Sequence, residues 1–337
     1  MGALIGVAIL VVAAIVVWTV QTVREQSTDV PTTSAPGTSE VPTPTDRSGG
    51  ATTTEPAGVT APTSLPSEGR RTEAGALLSS CIPYQQPFPL QPLGCTVLSP
   101  PNIREGERLP LVIMLHGFNT TTSQELGVGG WDAAVVRDRF VAQFPESNFS
   151  AWNAGGCCGL AQAGQVDDVA YIQKLVTDAK ARPEIDPARV YLVGNSNGGM
   201  MVYRYLCAHA DELAGAASVE GTRVVGCMPS SPVPFLHVAA RDDQVVPYLG
   251  GQSLTSWVLG VTFQSVQSSV KDFAAAAACP PAPQEQTVRS VTRQTWAACS
   301  GGTTVELASL ADWGHRWPTG KDFPATDEVL SFFGLGG

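Results

Sequence analysis

The pentapeptide Gly194-Asn195-Ser196-Asn197-Gly198 follows an expected strand, Arg189 to Val193, and leads into a stretch with helical spacing, Gly198 to Ala210. A serine at so sharp a strand-to-helix bend presents its Oγ to solvent, and glycines two residues to either side remove side chains that would collide. Its hydroxyl is a poor nucleophile at neutral pH, so the chemistry needs an imidazole to take the proton and a carboxylate to orient that imidazole. The chain has four histidines. His116 ends an early strand, His209 falls in the helix after Ser196, and His237 sits inside an apolar strand. His209 and His237 read as hydrogen-bonded structural residues. His315, in Gly314-His315-Arg316-Trp317-Pro318, comes after the last strand and has the position and chain order of a catalytic base.

In this arrangement the carboxylate comes after the serine and before the histidine. Asp242 and Asp243, just past the apolar strand 234–240, meet that order. Asp243, four residues before Pro247, is the expected acid; Asp242 is its alternative, and whichever of the two is not the acid is expected to be a solvated loop residue. Acyl-transfer chemistry also needs donors for a negative oxygen. The backbone N–H groups of Asn197, directly after the serine, and of Phe118, after His116-Gly117 at a strand end, are the candidates.

These residues need a scaffold. From about Leu77 onward, short apolar runs alternate with amphipathic helical stretches, as in a parallel sheet covered on both faces. Strands are expected at 109–115, 189–193, 216–219, 234–240 and 303–310. Helices are expected around 168–179, opened by Asp167 and Asp168 and stopped before Pro183, and at 198–210, 266–278 and 324–333. One α/β domain over 77–337 accommodates all of them.

The N-terminal region has another character. Residues 3–20 carry no charge and would span about 27 Å as a helix at ~1.5 Å per residue, enough for a membrane anchor or a signal segment. The next stretch, 24–76, is rich in Ser, Thr, Pro and Gly and has too few large apolar residues to repay folding entropy, which predicts a disordered linker. Arg24, after the apolar segment, would favour a cytoplasmic position for the rest of the chain. The eight cysteines, all between Cys81 and Cys299, favour disulfides formed outside the cytoplasm, and they weigh more than one arginine. With 20 Lys and Arg against 30 Asp and Glu and no basic run, the chain lacks the attraction that nucleic-acid binding requires.

Leu115-His116-Gly117, Trp152-Asn153-Ala154-Gly155-Gly156-Cys157-Cys158-Gly159, Gly194-Asn195-Ser196-Asn197-Gly198-Gly199-Met200-Met201 and Gly314-His315-Arg316-Trp317-Pro318 resemble, in the same order, the polyhydroxybutyrate depolymerase and feruloyl esterase group. The resemblance covers nearly all of residues 79–337. It implies an α/β-hydrolase fold and extracellular hydrolysis of carboxylic esters through an acyl-enzyme, with no metal and no cofactor. It further implies a disulfide between Cys279 and Cys299 that steadies the region leading to His315. Cys81 and Cys95 could close a short loop; the pairing of Cys157, Cys158, Cys207 and Cys227 stays open. The stretch His237-Val238-Ala239-Ala240-Arg241-Asp242-Asp243 departs from the group's His-Gly-Thr-x-Asp pattern. No polymer-binding domain comes after the hydrolase, which weighs against specialisation for insoluble granules. Trp152 and Trp317 fit either a substrate pocket or the core.

The expected activity is therefore that of a serine esterase on feruloyl, acetyl or hydroxyalkanoate esters, secreted or tethered to the membrane through its N-terminal segment. A serine peptidase using the same three residues and a catalytically silent cell-surface binding module are the alternatives.

Overall fold

The structure is a computed structural model, and the described residues are 65, 69–81, 83–86 and 90–336. The membrane-length segment 3–20 and most of the linker 24–76 lie outside them; residues 65 and 69–76 are described. Among the described residues, no helix is long and apolar enough to cross a membrane.

Ten strands form one sheet: β1 (Leu77–Ser80), β2 (Cys95–Ser99), β3 (Leu109–Leu115), β4 (Val141–Pro145), β5 (Ile185–Asn195), β6 (Gly215–Val219), β7 (Phe235–Ala240), β8 (Gln284–Val288), β9 (Val291–Trp296) and β10 (Val305–Leu310). Their order is β1-β2-β4-β3-β5-β6-β7-β10-β9-β8. The central strands β4, β3, β5, β6, β7 and β10 are parallel. The pairs at each flank, β1–β2 and β9–β8, run antiparallel to their neighbours.

The helices are α1 (Thr122–Leu126), α2 (Trp131–Asp138), α3 (Gly159–Ala163), α4 (Asp168–Lys180), α5 (Asn197–His209), α6 (Leu254–Val258), α7 (Val266–Ala276) and α8 (Ala325–Phe332). Strand β3 explains why the sheet needs cover on both sides, since all seven of its residues are buried. Successive side chains point to opposite faces. Leu111, Ile113 and Leu115 join one core with residues of α4, α5 and α7, while Val112 and Met114 join the other with residues of α2 and α8. The apolar spacing in α7 places Val266, Val270 and Phe273 on one buried stripe, and Phe273 stacks on Phe235 of β7 with ring centroids 4.1 Å apart. Each such fully buried side chain stabilises the fold by about 1.5–3 kcal/mol.

The expected central strands and long helices are present with small shifts at their ends. Strands β1, β2, β4, β8 and β9 were not expected from the sequence. All of β8 is exposed, so its polar residues show no burial pattern that would mark a strand. The disulfides pair Cys81 with Cys95, Cys157 with Cys158, Cys207 with Cys227 and Cys279 with Cys299. The last joins the chain beyond α7 to the chain before β10, across the β8–β9 hairpin.

Candidate active site

Ser196 stands between β5 and α5 with φ 53° and ψ −116°, a left-handed backbone that costs a non-glycine residue about 1–3 kcal/mol. Two glycines permit it. A Cβ on Gly194 would lie 2.2 Å from the Gly198 carbonyl carbon, and one on Gly198 would lie 2.3 Å from the Leu115 carbonyl oxygen. The Ser196 N–H donates to Val219 O at 2.7 Å, and the Met200 N–H donates to Ser196 O at 3.0 Å. Neighbouring strand and adjoining helix thus fix the bend together.

His315 lies on the loop after β10. Its Nδ1–H donates to Asp243 Oδ2 at 2.7 Å, and its Nε2 accepts from the Ser196 hydroxyl at 2.8 Å. Asp243, buried just past β7, also accepts at Oδ1 from the N–H groups of Val245 at 2.7 Å and Val246 at 2.8 Å. Three donors fix this carboxylate. The structure therefore brings Ser196, His315 and Asp243 into one hydrogen-bonded chain, although 119 and 72 positions separate the bonded pairs in sequence.

Asp242 has a different task from the solvated loop residue expected of it. Its Oδ1 accepts from the N–H groups of Trp313 at 2.9 Å and Gly314 at 2.8 Å. Those donors hold its carboxyl below the usual carboxylate range. Asp242 pins the base of the loop that presents His315, and a backbone turn of this kind leaves no trace in local sequence.

The loop through Gly117 passes against the serine, and a Cβ there would make ordinary van der Waals contact with the Ser196 Cβ at 3.4 Å. Among the described residues, neither the Phe118 nor the Asn197 N–H has a hydrogen-bond acceptor. The Asn197 side chain points elsewhere: its Oδ1 accepts from the Trp152 N–H at 2.7 Å and its Nδ2 donates to Trp152 O at 3.0 Å. Trp152 and Trp317 are core residues. Trp152 is fully buried and donates from Nε1 to His116 O at 2.9 Å; Trp317 donates from Nε1 to Thr326 Oγ1 at 3.1 Å.

The other histidines have structural partners. His116 Nε2 pairs with Ser147 Oγ at 2.9 Å, His209 Nδ1 with Glu212 Oε1 at 3.0 Å, and His237 Nδ1 with the Tyr203 hydroxyl at 2.9 Å. Burial lowers the His237 pKa to about 3, so its imidazole is neutral in the folded protein.

The burial of three acids was not evident from the sequence, where Asp168 read only as a helix-opening residue. Glu125 accepts from Asn195 Nδ2 at 3.1 Å, and burial raises its pKa to about 7. Asp168 accepts from the Asn153 N–H at 2.7 Å, and burial raises it to about 7 as well. Glu220, directly after β6, lies beside Asp243 and His315. Its place at the end of an apolar parallel strand is the one signal that could have drawn notice.

No protein-family model matches the chain. It is 28% identical over 225 residues to feruloyl esterase B of Piromyces equi, covering 63% of this chain and 40% of that protein. It is 25% identical over 235 residues to the bifunctional acetylxylan esterase/xylanase XynS20E of Neocallimastix patriciarum, covering 67% and 31%. With poly(3-hydroxyalkanoate) depolymerase C of Paucimonas lemoignei it shares 32% over 116 residues, covering 33% and 28%. The chain resembles the feruloyl esterase and polyhydroxybutyrate depolymerase group. It spans less than half the length of each of these three relatives. Among solved structures, an acetyl xylan esterase from Aspergillus awamori superimposes with a TM-score of 0.56 at 14% identity, covering 77% of this chain and 99% of that one. The fold is that of the α/β-hydrolases. In such a sheet, side chains at the carboxyl ends of β5, β7 and β10 converge on one rim although they are remote in sequence.

Proposed function

We propose that this protein is a serine carboxylic ester hydrolase that works through an acyl-enzyme outside the cytoplasm. The observation that carries this reading is the unbroken chain Ser196 Oγ to His315 Nε2 at 2.8 Å and His315 Nδ1 to Asp243 Oδ2 at 2.7 Å. Ser196 attacks the ester carbonyl as His315 takes its proton, and Asp243 holds the imidazole in the tautomer that makes this transfer possible. The N–H groups of Phe118 and Asn197, without an acceptor among the described residues, receive the developing oxyanion, where each such donor contributes about 3–4 kcal/mol to the transition state. His315 then returns the proton to the leaving alcohol, and water attacks the acyl-enzyme with His315 again as base.

The substrate class is a feruloyl, acetyl or hydroxyalkanoate ester, as the names of the relatives suggest. Four disulfides suit an oxidising compartment. The arrangement that fits is an anchor or signal at 1–23, a linker at 24–76 and the catalytic domain at 77–337.

The test joins labelling to turnover. A fluorophosphonate probe is expected to label the wild-type protein at Ser196 and to leave Ser196→Ala unlabelled. Rates on p-nitrophenyl butyrate, methyl ferulate, acetylated xylan and hydroxybutyrate oligomers are expected to exceed those on matched anilides. A folded wild-type protein that resists the probe, or one that cleaves the anilides faster, overturns the reading.

A further inference from the structure

Glu220 has two features that a simple structural carboxylate does not explain together. It is 1% exposed, and its backbone takes φ 50°, a conformation that persists in a non-glycine residue only where the surroundings impose it. Its N–H donates to Val238 O at 2.8 Å, and its Oε2 accepts from the Ala240 N–H at 3.0 Å. Its Oε1 is equally buried, and among the described residues no donor reaches it.

The groups facing Glu220 are Asp242 and Asp243 on the loop after β7 and His315 on the loop after β10. A ligand atom from each of Glu220, Asp243 and His315 lies within 4.8 Å of the others. Among the described residues, no Lys or Arg forms an ion pair with either carboxyl. Two neighbouring buried carboxyls do not both ionise without a compensating cation. Asp243 already accepts from three N–H donors, so it is the acceptor of the pair and the proton belongs on Glu220. Desolvation, with the nearby Asp243 and Asp242 charges adding to it, raises Glu220 well above the ordinary carboxyl range.

We propose that Glu220 is a positioning residue: as a neutral carboxylic acid it donates a hydrogen bond to Asp243 and so seats that carboxylate against His315. This rests on the serine hydrolase reading. The orphan oxygen then becomes a hydroxyl with an acceptor. Removing it would leave Asp243 with one fewer constraint and space to turn.

Three forms of the full chain test this: wild type, Glu220→Gln and Glu220→Leu, each checked for cooperative thermal unfolding. Gln keeps an acceptor for Ala240 and a donor for Asp243, so its kcat on p-nitrophenyl butyrate is expected to stay within about threefold of wild type at pH 7–8. Leu removes the donor and is expected to lower kcat about tenfold to a hundredfold with KM little changed. An infrared difference spectrum at pH 7 is expected to show a protonated-carboxyl carbonyl band in wild type that is lost in Glu220→Gln. Equal losses in Gln and Leu, full activity in Leu, or no such band would overturn the proposal. If Leu does not fold, the band and the Gln rate decide. Ser196→Ala keeps the two readings apart, because wild-type turnover in that variant defeats the hydrolase reading while the infrared band still reports on Glu220.

Discussion

Backbone geometry holds Ser196, whereas polar side chains hold His315. Around the serine, glycines at 194 and 198 allow strand, bend and helix to approach to distances that no Cβ tolerates. Around the histidine, Asp242 fastens the loop and Asp243 the ring, through hydrogen bonds of 2.7–2.9 Å. The first arrangement is rigid and intolerant of added atoms; the second can be loosened one bond at a time. Substitutions should therefore tend to act all-or-none near Ser196 and by degrees near His315.

The largest expected effect comes from Ser196→Ala, which should lower kcat by at least about 10⁴ with an unchanged melting temperature. Asp243→Asn should lower kcat on the order of 10³–10⁴, because an amide no longer fixes the imidazole tautomer. Steady-state rates measure both. Gly198→Ala should cost about 3 kcal/mol or more of stability, seen as a lower urea midpoint, since its Cβ would meet a main-chain carbonyl at 2.3 Å. A normally stable Gly198→Ala protein would break the contrast between the two regions.

Asp242→Ala should cost about tenfold in kcat, while Asp242→Asn, which keeps an oxygen for Trp313 and Gly314, should cost less. Equal losses would mean that charge, rather than loop anchoring, is what Asp242 supplies. The smallest effect on rate is expected for Asp168→Asn, whose carboxyl accepts from the Asn153 N–H. The folded-state pKa of Asp168 is raised from 3.8 to about 7, so the unfolded chain loses that proton at lower pH than the folded one. Its stabilising effect is full below about pH 4 and is lost as pH rises towards 7. Asparagine has no such titration, so urea midpoints of Asp168→Asn should vary less between pH 4 and 8 than those of wild type.

The same contrast governs how much could be read from sequence. The glycine-flanked serine is a local feature, fixed by sterics among adjacent residues, and its strand-bend-helix setting comes from the apolar run at 190–193 and the helical spacing after it. His315 and Asp243 could be named from chain order. The choice between Asp242 and Asp243, however, depends on which carboxyl turns toward the ring, and that is decided by backbone donors at 245, 246, 313 and 314. Glu220 and Asp168 belong to the same class, because their neighbours come from distant strands and loops. Among elements, β3 and β5 were plain from their apolar runs. The β8–β9 hairpin was not, since β8 is exposed along its whole length and β-pairing there rests on main-chain bonds that any polar sequence can make.

Asp242 and Asp243 are consecutive, yet one serves as an anchor for a loop and the other as a partner for an imidazole. A dipeptide that combines a mechanical and an electrical duty admits neither insertion nor deletion between its members. A frame slip of a single position would hand each carboxyl the other's address, and mooring and proton relay would fail in the same event.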